Sequence, residues 1–155
     1  MFSVLERKSL WRAWFMLLLL KAGVSLAGPG ELKLEAQLLW GTDTQQSPGF
    51  PYQPAAPLIA TKLRKMPFKW KHFYEINRAT FNLSPRAMRR VQLSAPCSLE
   101  IKNLGASRIE ARLYGRKKLV NTIKQALSDG ELAVIGGDDK GENAWLVILR
   151  IVDAK

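Results

Sequence analysis

The chain has 155 residues, 24 lysines and arginines against 13 acids, a net charge of +11 and a hydrophobic share of 47%. That length favours one domain, and that apolar content excludes a disordered chain. The charge bears on partners: it draws the protein towards phosphates, acidic polysaccharide or anionic lipid.

Residues 1–27 read as an export signal. Arg7, Lys8 and Arg12 form a basic start, Ala13–Leu20 an apolar run, and Ser25–Ala27 a small-residue cleavage site. Lys21 breaks the run before it reaches the roughly 20 apolar residues of a transmembrane helix. The expectation is a signal peptide over 1–27 and a single mature domain over 28–155, exported to the periplasm, cell envelope or exterior. An uncleaved signal anchor is the alternative. The residue directly after the site is Gly28 and not a cysteine, which argues against a lipid anchor. Arg7, Lys8, Arg12, Lys21 and Glu6 leave with the signal, so +8 of the +11 stays with the domain.

Leu32–Trp40 alternates strictly. Leu32, Leu34, Ala36, Leu38 and Trp40 share one face, and Lys33, Glu35 and Gln37 the other. This is the period of a half-buried strand with a wet polar side. Residues 41–57, rich in Pro and Gly, read as a loop or extended crossover. Pro57–Met66 reads as a short helix, with Pro57 at its first position, Leu58, Ile59 and Leu63 as a weak apolar stripe, and Pro67 as the stop.

In Lys62–Arg78, KLRKMPFKWKHFYEINR, cations and aromatics interleave. As a strand it puts Phe68, Trp70, His72, Tyr74 and Ile76 on one face, and Lys69, Lys71, Phe73 and Glu75 on the other. Two readings follow. In one, the rings fill a core and the lysines guard a wet edge. In the other, Lys62, Arg64, Lys65, Lys69, Trp70 and Lys71 form a cationic plate with exposed rings, joined by Arg86, Arg89 and Arg90 from a neighbouring strand. Such a plate stacks on bases or sugars.

Cys97, Leu99 and Ile101 alternate inward against Ser98, Glu100 and Lys102; Ile109, Ala111 and Leu113 do so against Arg108, Glu110 and Arg112. Residues 117–127 form a weaker strand. Residues 131–152 read as a long hairpin with a polar tip, and its second strand, apolar on both faces, belongs in a central or covered position. Short strands separated by turn signals point to an all-β fold: an antiparallel sandwich of immunoglobulin-like proportions with one short helix and, with Cys97 alone, no disulfide.

The chemistry is thin. A lone histidine, His72, and a lone cysteine, Cys97, supply neither a triad nor a metal ligand set. Cys97 sits on the apolar side of its strand and reads as a small buried hydrophobe. Asp138, Asp139 and Glu142 form a solvated hairpin tip whose spacing is not that of a calcium loop. GPGELK is neither a P-loop nor a dinucleotide fingerprint. No cofactor and no metal are expected.

LLWGT, PFKWKHFYEINR and GELAVIGGDDKGENAWLVILR together resemble a set of small exported bacterial proteins with no assigned activity. The resemblance implies export and one β-rich domain, and assigns no residue a role. The sequence thus reads as a non-enzymatic binding or interaction module of the bacterial cell envelope. Its partners would be an anionic polysaccharide, a nucleic acid or an envelope protein. The alternative is a secreted hydrolase using paired carboxylates.

Overall fold

A computed structural model describes residues 30–47, 49–136 and 143–152. The proposed signal, 1–27, and the hairpin-tip acids Asp138, Asp139 and Glu142 lie outside these residues.

Among the described residues, nine strands and one helix follow in the order β1 Leu32–Thr42, β2 Gln53–Pro54, α1 Pro57–Arg64, β3 His72–Leu83, β4 Met88–Gln92, β5 Cys97–Gly105, β6 Arg108–Gly115, β7 Lys118–Ala126, β8 Ala133–Gly136 and β9 Asn143–Ile151. They build two sheets: a first of order β2-β3-β1-β9-β8 and a second of order β4-β5-β6-β7. Every neighbouring pair is antiparallel. The protein is an all-β sandwich with one short helix. Cys97 is free.

The alternating strands build the main core because their apolar positions meet between the sheets. Leu34, Ala36 and Leu38 of β1, Val147 and Leu149 of β9, Leu99 and Ile101 of β5, and Ile109, Ala111 and Leu113 of β6 fill it. Cys97 is among them, 3% exposed, as the alternation of its strand requires. Asn103 is the buried polar group at one end. Its amide donates to the carbonyls of Gly30 (3.0 Å) and Leu83 (3.1 Å), and its side-chain oxygen accepts from the Gly105 N–H at 2.9 Å. A buried amide satisfied on both sides avoids the desolvation cost of an unpaired one.

A second core lies on the opposite face of the first sheet, under α1. Leu39, Phe73, Leu146 and Ile148 of the sheet pack with Ile59 and Leu63 of the helix and with Trp70. The doubly apolar β9 fits this plan: it lies between β1 and β8, with Val147 and Leu149 in one core and Leu146 and Ile148 in the other. The layers therefore run helix, first sheet, second sheet.

This layering corrects four expectations. Glu35 and Gln37, placed on a wet face by alternation, are 6% and 1% exposed, because β1 is flanked by β3 and β9 and covered on both sides. Leu58, assigned to the apolar stripe of α1, is 61% exposed; Ile59 and Leu63 are the buried residues of the helix. The strand after the helix starts at His72, not Phe68, so Trp70 and Tyr74 do not share a face. Phe73, placed among the wet residues, is 4% exposed beneath the helix layer. The segment 41–57 is not wholly loop: β1 runs on to Thr42, and Gln53–Pro54 pairs with Tyr74 and Glu75 as an edge strand.

Candidate functional site: a basic sheet face

The cations of 62–71 sit on the helix side of the molecule. Lys62, half-buried, donates through Nζ to the Gly130 carbonyl and straps α1 to the β7–β8 connection. Arg64, Lys65, Lys69 and Lys71 are exposed. Trp70 is 8% exposed. Its indole lies flat on Gly41, where a Cβ would sit 3.3 Å from the ring, and stacks on Phe68 with centroids 5.9 Å apart. Lys69 Nζ stands 5.6 Å from the Trp70 ring centroid. The ring is held inward by packing, so the segment presents charges but no open indole. Its cations are distributed along a helix end and a connection, not aligned on one strand.

A denser basic surface lies on the far side. Residues 84–127, which hold the whole second sheet, carry ten of the 24 lysines and arginines and only two acids, Glu100 and Glu110. The pairing register collects charges on the outer face. Arg90 lies opposite Glu100, Glu100 opposite Arg112, Lys102 opposite Glu110, Glu110 opposite Lys124, and Arg108 opposite Ala126. Neighbouring strands lie about 4.8 Å apart, so these side chains form one continuous lattice. Both acids are consumed inside it. Glu100 is held by Arg112 at 3.3 Å and Arg90 at 3.7 Å; Glu110 by Arg112 at 2.5 Å and Lys124 at 2.9 Å. The Glu110 carboxyl is held below its usual range. The hydrogen bond from Lys124 leads, burial opposes it, and the charges of Arg112 and Lys124 add to the lowering.

The cations outnumber the two acids they enclose and remain exposed: the side chains of Arg90, Arg112 and Lys124 are 57%, 45% and 62% accessible. Arg90 also lies over the Tyr114 ring, 4.7 Å from its centroid, so the lattice contains a guanidinium stacked on an aromatic face. The β6–β7 turn extends the surface with Arg116 and Lys117, both at positive φ (50° and 66°). A two-residue hairpin turn demands that conformation, which non-glycine residues adopt at a cost of about 1 kcal/mol each.

Arg89 belongs elsewhere. It pairs with Ile101, an inward position, and its guanidinium caps Phe81 at 5.4 Å from the ring centroid. Of the three arginines 86, 89 and 90 set beside the 62–71 plate, Arg90 joins the lattice of the second sheet. Lys62 and Lys65 line a pocket with Gln125 at the β7 edge of that sheet.

Four carboxylates of the described residues, Glu35, Glu75, Glu100 and Glu110, are held in ion pairs. Glu35 and Glu75 are bridged by Arg78, at 3.5 and 2.6 Å, and Arg150 Nε donates to Glu35 at 2.7 Å. Glu100 and Glu110 are bridged by Arg112. For Glu35, burial is the largest influence and pushes its pKa up. The hydrogen bonds from Arg150 and Gln37 and the charges of Arg150 and Arg78 outweigh it, and the net shift is downward. A general acid needs a raised pKa, the opposite shift. Burial pushes the Cys97 thiol up to about 11, away from the thiolate form that attacks. His72 opens β3 opposite Thr42. Among the described residues no group of three or more His, Cys, Asp and Glu could hold a metal ion, and no helix is long and apolar enough to cross a membrane.

Protein-family models, curated proteins and solved structures were compared with this chain, and none matches. The surface must therefore be read from its own geometry. What sequence reasoning missed was the collection of cations by register. They are spread over some forty residues with no local run longer than the three of 116–118, and only the antiparallel meander β4–β7 brings them to one face.

Proposed function

We propose that the protein is an exported, non-enzymatic binding module of the bacterial cell envelope that holds anionic polymers, acidic polysaccharide or nucleic acid, on the outer face of its second sheet. The observation that carries the reading is the charge of that face: Arg90, Lys102, Arg108, Arg112 and Lys124 against two acids, with both acids already enclosed by Arg90, Arg112 and Lys124. A flat lattice of guanidinium and ammonium groups suits a repeating anion, whose charges it meets in series without a pocket. The signal-like sequence of residues 1–27 supports export. The exposed cations of the helix side, Arg64, Lys65, Lys69 and Lys71, are a second, sparser surface for the same class of ligand.

Neutralising one surface at a time tests the assignment. Lys102→Gln, Arg108→Gln and Lys124→Gln together should weaken heparin binding by roughly tenfold or more at about 100 mM salt and reduce the salt slope by about two to three. Lys69→Gln with Lys71→Gln should change it less than about threefold. The reverse ranking would move the site to the helix side. No heparin or single-strand binding at low salt would remove the polyanion reading.

A further inference from the structure

The two sheets part at the end of the sandwich that carries the β6–β7 turn, leaving a cleft of about 840 Å³ between them. Trp40, Ile76 and Trp145 of the first sheet form one wall; Val120 and Gly115 of the second form the other, with Cys97 also lining it. Gly115 lets the two walls approach each other at the edge of the cleft. A Cβ there would stand 3.1 Å from Val120 and 3.4 Å from the Trp145 ring. The mouth carries Tyr52 from the Pro/Gly-rich segment, and Arg116 and Lys118 from the turn. Phe50 packs edge-on to both Tyr52 and Tyr74, at 5.5 and 5.2 Å between centroids, and the Tyr74 hydroxyl accepts from the Gln46 N–H at 2.9 Å. Those contacts fix the segment that bears Tyr52 against the first sheet.

The lining is apolar within, has two cations at the mouth and includes no acid. The smaller cleft beside α1, about 440 Å³, differs: its Lys62 is bonded to Gly130 and its Arg150 to Glu35, so its charges are already engaged. We infer that the cleft between the sheets binds a single-chain amphiphile with an anionic head, a long-chain fatty carboxylate, its tail between Trp40, Ile76, Val120 and Trp145 and its carboxylate at Arg116 and Lys118. Facing sheets stand about 10 Å apart, so a gap between them is about one acyl chain deep. The volume lies within the range of small-molecule sites. A long-chain alcohol would fill the walls but leave the two cations without a counter-charge. A short carboxylate would do the reverse.

Titration calorimetry of the full chain with octanoate, decanoate and dodecanoate, each below its micellar concentration, tests this. Affinity should rise roughly threefold per added methylene, and dodecanol should bind about tenfold more weakly than dodecanoate. Val120→Glu puts a carboxylate into the wall at a position already 37% exposed, so the thermal midpoint should hold while binding is lost. If that variant melts early, Tyr52→Glu, at a site 38% exposed, replaces it. Arg116→Gln with Lys118→Gln should bring dodecanoate down to the level of dodecanol. The triple neutralisation of Lys102, Arg108 and Lys124 should leave dodecanoate binding intact, which separates this site from the polyanion surface. Affinity independent of chain length, dodecanoate binding undiminished in a folded Val120→Glu variant, or sedimentation as a dimer closed through this cleft would overturn the inference.

Discussion

Glu35 shows how a single charged residue can be structural in this molecule. It is 6% exposed in β1, at the middle of the first sheet, and keeps its charge because Arg150, Gln37 and Arg78 reach it from β9, β1 and β3. Its folded pKa is lowered. The stability it contributes is therefore present above the carboxylate's unfolded pKa of about 4.3 and is lost as pH falls through the folded value. Glu35→Gln should reduce stability at pH 7 by about 2 kcal/mol and flatten the loss below about pH 4, because both arginines lose a charged acceptor. Urea melts at pH 7 and pH 3 check this. A variant that keeps the wild-type acid limb would show that Glu35 is not the titrating group. Cys97 gives a second prediction. With the thiol buried and pushed up to about 11, alkylation should be slow in native protein and fast in urea. Cys97→Ser should cost about 1–3 kcal/mol, read from the same melts. The inward facing of Cys97 was legible because β5 alternates without interruption. The burial of Glu35 was not, because a charged residue at a polar alternation position reads as wet until its partners, 43 and 115 residues away, arrive.

At the level of elements, β5, β6 and the β8–β9 pair follow their sequence patterns, since each alternates or is apolar on both faces. The segment 68–76 does not, for two reasons. Its first residues belong to the connection from α1, where no sheet imposes a period of two. Then Ile76 is an extra residue in β3: Leu38 faces Asn77 and Leu39 faces Glu75, so the alternation of β3 shifts by one at that point. A bulge inverts facing beyond it, and a local pattern cannot reveal it. The consequence is that Trp70 serves the second core. Trp70→Ala should lower stability by about 3–4 kcal/mol and leave heparin affinity within about twofold, measured by denaturant melts and calorimetry. Gly41→Val should fail similarly, because the Trp70 ring occupies the space of its side chain. An unchanged melt for Trp70→Ala would return the ring to the surface and with it the aromatic plate on the helix side.

On the scale of the whole molecule, the sandwich gathers charge on one sheet face. Residues 84–127 carry ten cations and two acids, and Arg90, Lys102, Arg108, Arg112 and Lys124 of that stretch share the outer face of the second sheet. Net charge alone showed that the chain is basic; only the strand order says which face is. The helix side, where the sequence drew attention by interleaving cations with aromatics, uses its rings for packing and one of its lysines, Lys62, as a strap. The most direct test of a polyanion-binding sheet is the salt dependence of heparin or single-stranded nucleic-acid binding by the unmodified chain. If about four anionic groups are neutralised together, log K should fall with log salt at a slope of about −3, a roughly 60-fold loss between about 50 and 200 mM. A slope near zero, or a steep slope left intact by neutralising Lys102, Arg108 and Lys124, would contradict the account.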